Sequence, residues 1–361
     1  MGTRFLPRDR RRARRHARLR LRPADTGSRP HMTEHLRIHI ENDSTIGPLF
    51  EITPEMIARA EARRPEVKGR WTASYGRDLV EFERNVAAAD GLLGWQFRHA
   101  EIDRLGPRLH WIQLTGAGLD HLLPLKWLPP RIALTNARGA HKPKIGEALF
   151  MSVLMLNNFI PALVHHQRAR RWNQMFATGI AGKTLLIVGL GEAGGDAARL
   201  ARTFGIRVVA TARRTTSHIA AHEVHPPSAL RDLLPQADIV MLTVPLTPQT
   251  RGMFGAREIG LMKPGAGLVS LARAGIVDDV ALKDALARGH LSGCVYDLED
   301  PSHRQFDTEM WDCPNMIYLP HSQTNDPARF MENVLDIFFD NLARALGGEP
   351  FANRVDPNLG Y

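Results

Sequence analysis

Residues 184–203 read TLLIVGLGEAGGDAARLART, and no other stretch of the chain restricts its fold as tightly. Thr184 to Val188 are β-formers of the kind a buried parallel strand favours. Glycines follow at 189, 191 and 194 in the spacing G-x-G-x-x-G. Gly189 permits a tight turn, Gly191 lets a pyrophosphate approach the backbone, and Gly194 allows close packing of helix on strand. Apolar residues at 193, 197, 200, 201 and 204 then mark an amphipathic helix. Its amino end presents free N–H groups to phosphate. Three glycines alone suit a packing turn equally well. Between a strand and a helix they point to a dinucleotide, held by Gly189, Gly191, Glu192, Ala193 and Gly194.

The next strand, RVVATARR (207–214), indicates which dinucleotide. An NAD site places an acidic residue about 20 positions past the glycines, where it accepts hydrogen bonds from the ribose hydroxyls. That position falls near Ala212, which can accept none. Arg213 and Arg214 follow, then Thr215 and Thr216. Arginine forks and hydroxyls satisfy a 2′-phosphate well. The expectation is NADP, with NAD possible and a solvated charged loop as the alternative.

Around this core the chain alternates strands with helices. After RVVATA come DIVMLTVP, GLVSLA, GCVYD and MIYLP, giving with TLLIVGLG six strands of a doubly wound sheet. Asp278 N-caps a helix that closes at Gly289. Upstream, LRIHI (36–40), GLLGW (91–95), HWIQLT (110–115) and RIALTN (131–136) suggest a smaller parallel α/β domain, with Thr53 and Pro54 opening its first helix. A helix over 145–172, interrupted near Pro161, is apolar on more than one face and suits burial against the next domain or a second subunit. The helix ARFMENVLDIFFDNLARALGG is expected to return to the first domain. The fold class is α/β with two doubly wound parallel sheets, a Rossmann-type cofactor domain (138–322) inserted in a flavodoxin-like substrate domain (32–137 and 323–361).

Residues 1–31 hold eleven arginines against two acids, which accounts for the whole formal net charge of +9 in this 361-residue chain. The remainder is electrically neutral. This tail lacks apolar periodicity and reads as disordered. It suits a nucleic-acid arm, a transit peptide, an inert extension, or an upstream start with translation beginning at Met32. The neutral remainder argues against nucleic acid, and the low serine content against a transit peptide. No apolar run approaches the roughly 18 residues of a membrane span. Two cysteines, Cys294 and Cys313, can form neither a disulfide framework nor a four-ligand zinc site. A reducing, cytoplasmic setting is the simplest reading.

Three blocks carry polar residues at strand ends. Arg273 follows GLVSLA, where open α/β sheets bind ligands, and could grip a carboxylate and polarise a ketone. His321 ends MIYLP and could pass a proton near neutral pH. Between them lies the acidic loop DLEDP.

From about Leu109 to Asn353 the chain resembles the D-isomer-specific 2-hydroxyacid dehydrogenase family. LHWIQLTGAGLDHL resembles its substrate loop and TNARGAHKPKIGEAL its lead-in to the interdomain helix. VPLTPQTRGMFG, MKPGAGLVSLARAGIVDDVALKDAL and MWDCPNMIYLPHSQT resemble its later blocks in order and spacing. The resemblance implies Arg273 as the substrate arginine and His321 as the proton donor in reduction. It implies backbone N–H groups at Ala117 and Gly118 as a carboxylate cradle. Val244, Pro245, Thr250, Leu271, Ala272 and Asp297 would line the cofactor, with Asp297 beside the nicotinamide. The family's catalytic Glu is matched best by Asp300, next to Pro301, with Glu299 as the alternative, in a segment about two residues shorter than usual. Ser322 and Gln323 stand where the family commonly has small apolar residues.

The implied activity is hydride transfer between a nicotinamide cofactor and C2 of a small 2-keto or 2-hydroxy acid, in a homodimer built through the cofactor domain and the 145–172 helix. A non-catalytic NAD(P)-sensing or corepressor-like protein on the same fold is the competing reading.

Overall fold

The computed structural model describes residues 35–215, 218, 220–297 and 308–360. Five strands, β1 (Leu36–Asn42), β2 (Trp71–Arg77), β3 (Gly91–Gly94), β4 (Trp111–Leu114) and β5 (Ala133–Thr135), form one sheet. Its order is β2-β1-β3-β4-β5 and every pairing is parallel. This is the flavodoxin-like arrangement.

Seven strands form the second sheet. They are β6 (Thr184–Val188), β7 (Arg207–Thr211), β8 (Glu223–His225), β9 (Ile239–Leu242), β10 (Ala266–Ser270), β11 (Leu291–Asp297) and β12 (Met316–Leu319). The order β12-β11-β10-β9-β6-β7-β8 is again wholly parallel. Strand order reverses between β6 and β9. The carboxyl ends of those two strands therefore open the crevice where such sheets bind nucleotides.

Strands β2 and β8 carry no apolar signal in the sequence. Both lie at sheet edges, and most of β2 is exposed, so side-chain alternation is not what holds them. Their pairing is backbone pairing.

Helices α1 (Pro54–Glu61), α2 (Phe82–Ala87) and α3 (Ile102–Leu105) belong with the first sheet. Thr53 caps α1 as expected, its Oγ1 accepting from Met56 N at 3.3 Å. The chain then enters α4 (Lys144–Asn157) and α5 (Ile160–Arg168), which meet at 65°. The break falls at Phe159, whose backbone is left-handed (φ 54°), with Pro161 in the first turn of α5. Helix ends at Arg168, four residues short of the 172 expected. Among the described residues no single helix is long and apolar enough to cross a membrane; α4 and α5 together pass by length and composition only.

Helices α6 (Glu192–Thr203), α7 (Leu230–Leu233), α8 (Ala256–Leu261) and α9 (Asp279–Ala287) complete the second half. The alternation along β6 explains how both faces of its sheet are covered. Leu185 and Ile187 pack with Leu149, Val153 and Leu156 of α4 and Ala197, Ala198 and Ala201 of α6. Leu186 and Val188 face Leu282, Ala285 and Leu286 of α9.

Helix α10 (Phe330–Gly347) does return to the first sheet. Val334, Leu335, Phe338 and Phe339 are buried with Leu36, Ile38 and Trp111. The rings of Trp111 and Phe338 stack at 5.3 Å.

Candidate active site

The glycine turn occupies the β6–β9 crevice. Gly189 has φ +101°, and a Cβ there would lie 2.8 Å from Val244 Cγ1. A Cβ on Gly194 would lie 2.5 Å from Gly189 O, so helix and strand approach as closely as the motif requires. At Gly191 a Cβ would meet nothing within 4 Å: the backbone there is open to an approaching group. Thr243 Oγ1 donates to Gly189 O at 2.6 Å and braces the turn. Ala193 lies half-buried in the first turn of α6. The Glu192 carboxylate, which would repel a pyrophosphate, is ion-paired with Lys142, whose ammonium also lies 3.9 Å from Asp196.

Gly189 N donates to Thr211 O at 3.0 Å, so the end of β7 lies against the glycine turn. Ala212, Arg213 and Arg214 follow, both arginines exposed. Thr216 lies outside the described residues. The His218 ring passes 3.2 Å from where a Cβ on Gly195 would sit, beside the start of α6. Across the crevice, Thr250 Oγ1 donates to Pro245 O at 2.6 Å and accepts from Thr247 N at 2.8 Å. That hydroxyl closes its own turn.

Arg273 stands just beyond β10, after half-buried Leu271 and buried Ala272. Its Nε donates to Asp120 Oδ2 at 2.9 Å and its Nη1 to Ala272 O at 2.9 Å. Its Nη2 faces Gly118, where a Cβ would approach to 2.4 Å. The substrate loop is pinned from behind, with Asn136 Nδ2 donating to Ala117 O at 2.8 Å and Ala137 N to Gly116 O at 2.9 Å.

His321 follows β12 with a left-handed backbone, φ 47°. For a residue other than glycine that conformation costs on the order of 1–2 kcal/mol. Asp297 and Leu319 are register partners across β11 and β12. This brings Asp297 Oδ1 to 3.4 Å from His321 Nδ1, with the carboxylate buried and the imidazole partly exposed. The resemblance puts Asp297 beside the nicotinamide and a later carboxylate, Asp300 or Glu299, on the histidine. Among the described residues Asp297 itself faces His321. Asp300 and Glu299 lie outside those residues. Neither oxygen of Asp297 accepts a hydrogen bond among them. A buried acceptor of this kind suits an imidazolium or the amide N–H of a carboxamide. With the glycine turn and the open approach at Gly191, these residues fit a nicotinamide dinucleotide.

Sequence reasoning missed three residues: Asp120, His141 and Lys142. All lie inside stretches that resemble the family, but their partners are distant in sequence, and periodicity cannot reveal such pairs. His141 stacks on Phe330 at 4.7 Å. Burial pushes it down to about 4, and the neighbouring His321 and Arg273 charges add to this, against polar neighbours Thr324 and Asn325 that favour protonation. Arg273 and His321 follow β10 and β12 of one sheet, and the charges of both bear on this imidazole.

Comparison with known proteins agrees with this geometry. Residues 150–322 match the profile of the D-isomer specific 2-hydroxyacid dehydrogenase NAD binding domain. The glycerate dehydrogenase of Methylorubrum extorquens is 35% identical over 258 residues, covering 68% of this chain and 78% of that protein. A D-3-phosphoglycerate dehydrogenase of Bacillus subtilis is 31% identical over 232 residues, 61% of this chain and 43% of its own. The chain spans about half the length of the phosphoglycerate dehydrogenases it matches. A D-isomer specific 2-hydroxyacid dehydrogenase of Xanthobacter autotrophicus Py2, solved with NADPH and MES, superposes with a TM-score of 0.77 at 23% identity, covering 90% of this chain and all of that one. By strand order, glycine turn and sequence together, the chain belongs to the D-isomer-specific 2-hydroxyacid dehydrogenase family.

Proposed function

We propose that the protein is an NAD(P)-dependent oxidoreductase acting at C2 of a small 2-keto acid or D-2-hydroxy acid, with NADPH favoured. The observation that carries this reading is Arg273 set against Gly118 of the Ala117–Gly118 loop, with the His321–Asp297 pair at the strand ends of the same sheet. Gly118 borders the Arg273 guanidinium, and both Arg273 and His321 act electrostatically on His141. The backbone N–H groups of Ala117 and Gly118 receive the substrate carboxylate. Arg273 binds it too and stabilises the charge developing on the carbonyl oxygen. His321 gives that oxygen a proton in reduction and removes it in oxidation. Asp297 faces Nδ1 and holds the ring, while the resemblance also offers Asp300 or Glu299 for that task. A bound nicotinamide supplies the hydride. Leu271, Ala272, Val244, Pro245 and Thr250 shape its pocket.

His321→Ala should lower kcat by roughly 100- to 10,000-fold, the usual weight of general acid–base catalysis. Arg273→Ala should impair substrate binding and turnover together. Nucleotide binding without turnover of any 2-keto acid would instead favour the sensing role. Comparing pH–rate profiles of Asp297→Asn, Asp300→Asn and Glu299→Gln shows which carboxylate governs the histidine.

The preference for NADPH rests on Ala212 in the place of an acid and on exposed Arg213 and Arg214 at the strand end. An Ala212→Asp, Arg213→Ala double variant should move kcat/KM toward NADH. Unchanged preference, or better use of NADH by the wild type, removes this part of the proposal.

The domain division at 138–322, a cytoplasmic location and a homodimer belong to the same reading. Trp172 and Phe176, just past α5, are 92% and 85% exposed, an apolar surface beside the helices assigned to the interface. Sedimentation of the wild type and of Trp172→Asp, Phe176→Asp tests it. A monomeric wild type contradicts the dimer.

A further inference from the structure

The least expected contact in the site joins its two halves. Asp120 lies in the loop after β4 of the first sheet, and Arg273 in the loop after β10 of the second. Their side chains meet at 2.9 Å across 153 residues of sequence. The geometry of the whole guanidinium gives this contact its meaning. Among the described residues, Nε donates to Asp120, Nη1 to the Ala272 carbonyl, and Nη2 points at Gly118. A planar fork held at two corners has little freedom to rotate, so its third corner is aimed. It is aimed at the backbone assigned to the substrate carboxylate.

Asp120 is itself held in place. It opens the 3-10 turn Asp120–Leu122. The next residue, His121, bonds Trp95 O through Nε2 at 2.9 Å and packs against the Trp95 ring, centroids 4.1 Å apart. The carboxylate therefore meets the arginine from a fixed loop, not from a mobile side chain on an open surface.

We propose that Asp120 is a positioning residue for Arg273: it sets the direction of the guanidinium and ties that direction to the approach of the two sheets. An exposed ion pair contributes little to stability, and these two side chains are 37% and 22% exposed. The role of the pair lies in orientation. An arginine released from Asp120 keeps its charge but loses its aim, and small misplacements of a binding group cost up to about 100-fold in rate. The proposal rests on the 2-keto acid reading of the site.

The test is a double-mutant cycle in the full chain. Asp120→Asn should lower kcat/KM for a 2-keto acid such as glyoxylate by about 10- to 100-fold. Affinity for NADPH, measured by nucleotide fluorescence without the acid, should stay within about twofold. Asp120→Glu should recover part of the loss. In an Arg273→Ala background, Asp120→Asn should add less than about twofold, because the residue it aims is gone. A structural role for Asp120 would instead add its full effect there. That additivity overturns the proposal, as does a near-wild-type Asp120→Asn or one with raised kcat/KM. If Asp120→Asn is insoluble, Asp120→Ser replaces it in the same cycle. Should Arg273→Ala itself leave kcat/KM unchanged, the 2-keto acid reading fails, and this inference with it.

Discussion

At the scale of single residues, the site concentrates groups that a stability-optimised fold would avoid. His321 holds a left-handed backbone, Asp297 is buried with no hydrogen-bond donor among the described residues, and His141 is half-buried against Phe330 beside two basic side chains. Such strain clusters where function over-determines the structure. His141 gives it a measurable consequence. Burial lowers it from 6.5 to about 4. Below pH 6.5 the unfolded chain takes up a proton that the native protein refuses until about pH 4. The stability this histidine contributes is therefore whole above 6.5 and drains as pH falls toward 4, by up to about 3 kcal/mol. Chemical denaturation at neutral and at acid pH should show the wild type losing about 2–3 kcal/mol more than His141→Gln. Equal losses would mean that another group governs acid sensitivity. Arg273 drew attention because it ends an apolar strand at the edge where ligands bind, whereas His321 was singled out by the family resemblance. Asp120 was not, since an acid in a glycine loop signals nothing until the fold brings up its arginine. The carboxylate for His321 was legible only as a choice within DLEDP. The resemblance offered Asp300 or Glu299 for that task, whereas strand register turns Asp297, the first residue of the same loop, toward the histidine.

Among the elements, those with strong apolar periodicity were readable and those held by backbone pairing were not. Strands β1, β3–β7 and β9–β12 all stand where β-branched or apolar runs place them. Strands β2 and β8 are edges, and WTASYGR and EVH carry too few buried residues to announce themselves. The interruption of the long apolar helix was legible from Pro161, and it falls two residues earlier, at a left-handed Phe159 that no residue type specifies. The return of α10 to the first sheet was expected from the two-domain arrangement, and its weight can be measured. Phe338 is fully buried between Trp111, Trp71 and Phe339. Phe338→Ala should cost about 3–5 kcal/mol of unfolding free energy, the usual penalty for a large buried aromatic. A loss below about 1 kcal/mol in urea titration would show that the helix contributes little to this core.

For the molecule as a whole, two parallel sheets of different order are covered by helices, and the crevice residues come from both. Arg273 and His321 follow strands of the second sheet, while Ala117, Gly118 and Asp120 follow a strand of the first. Charge is distributed in the opposite way: all the net positive charge lies in residues 1–31. A chain beginning at Met32 should therefore keep its fold and turnover and lose its retention on cation-exchange resin. Inactivity or insolubility of that chain would give the tail a role in the folded enzyme. The central claim is that the crevice reduces 2-keto acids. One measurement meets it directly: initial rates for a panel of 2-keto acids, from glyoxylate and hydroxypyruvate to larger members, with NADPH and with NADH, for the wild type and His321→Ala. The account predicts acid-dependent oxidation of nucleotide, faster with NADPH and reduced by about 100-fold or more in the variant. Binding of nucleotide with no acid-dependent oxidation across the panel would contradict it.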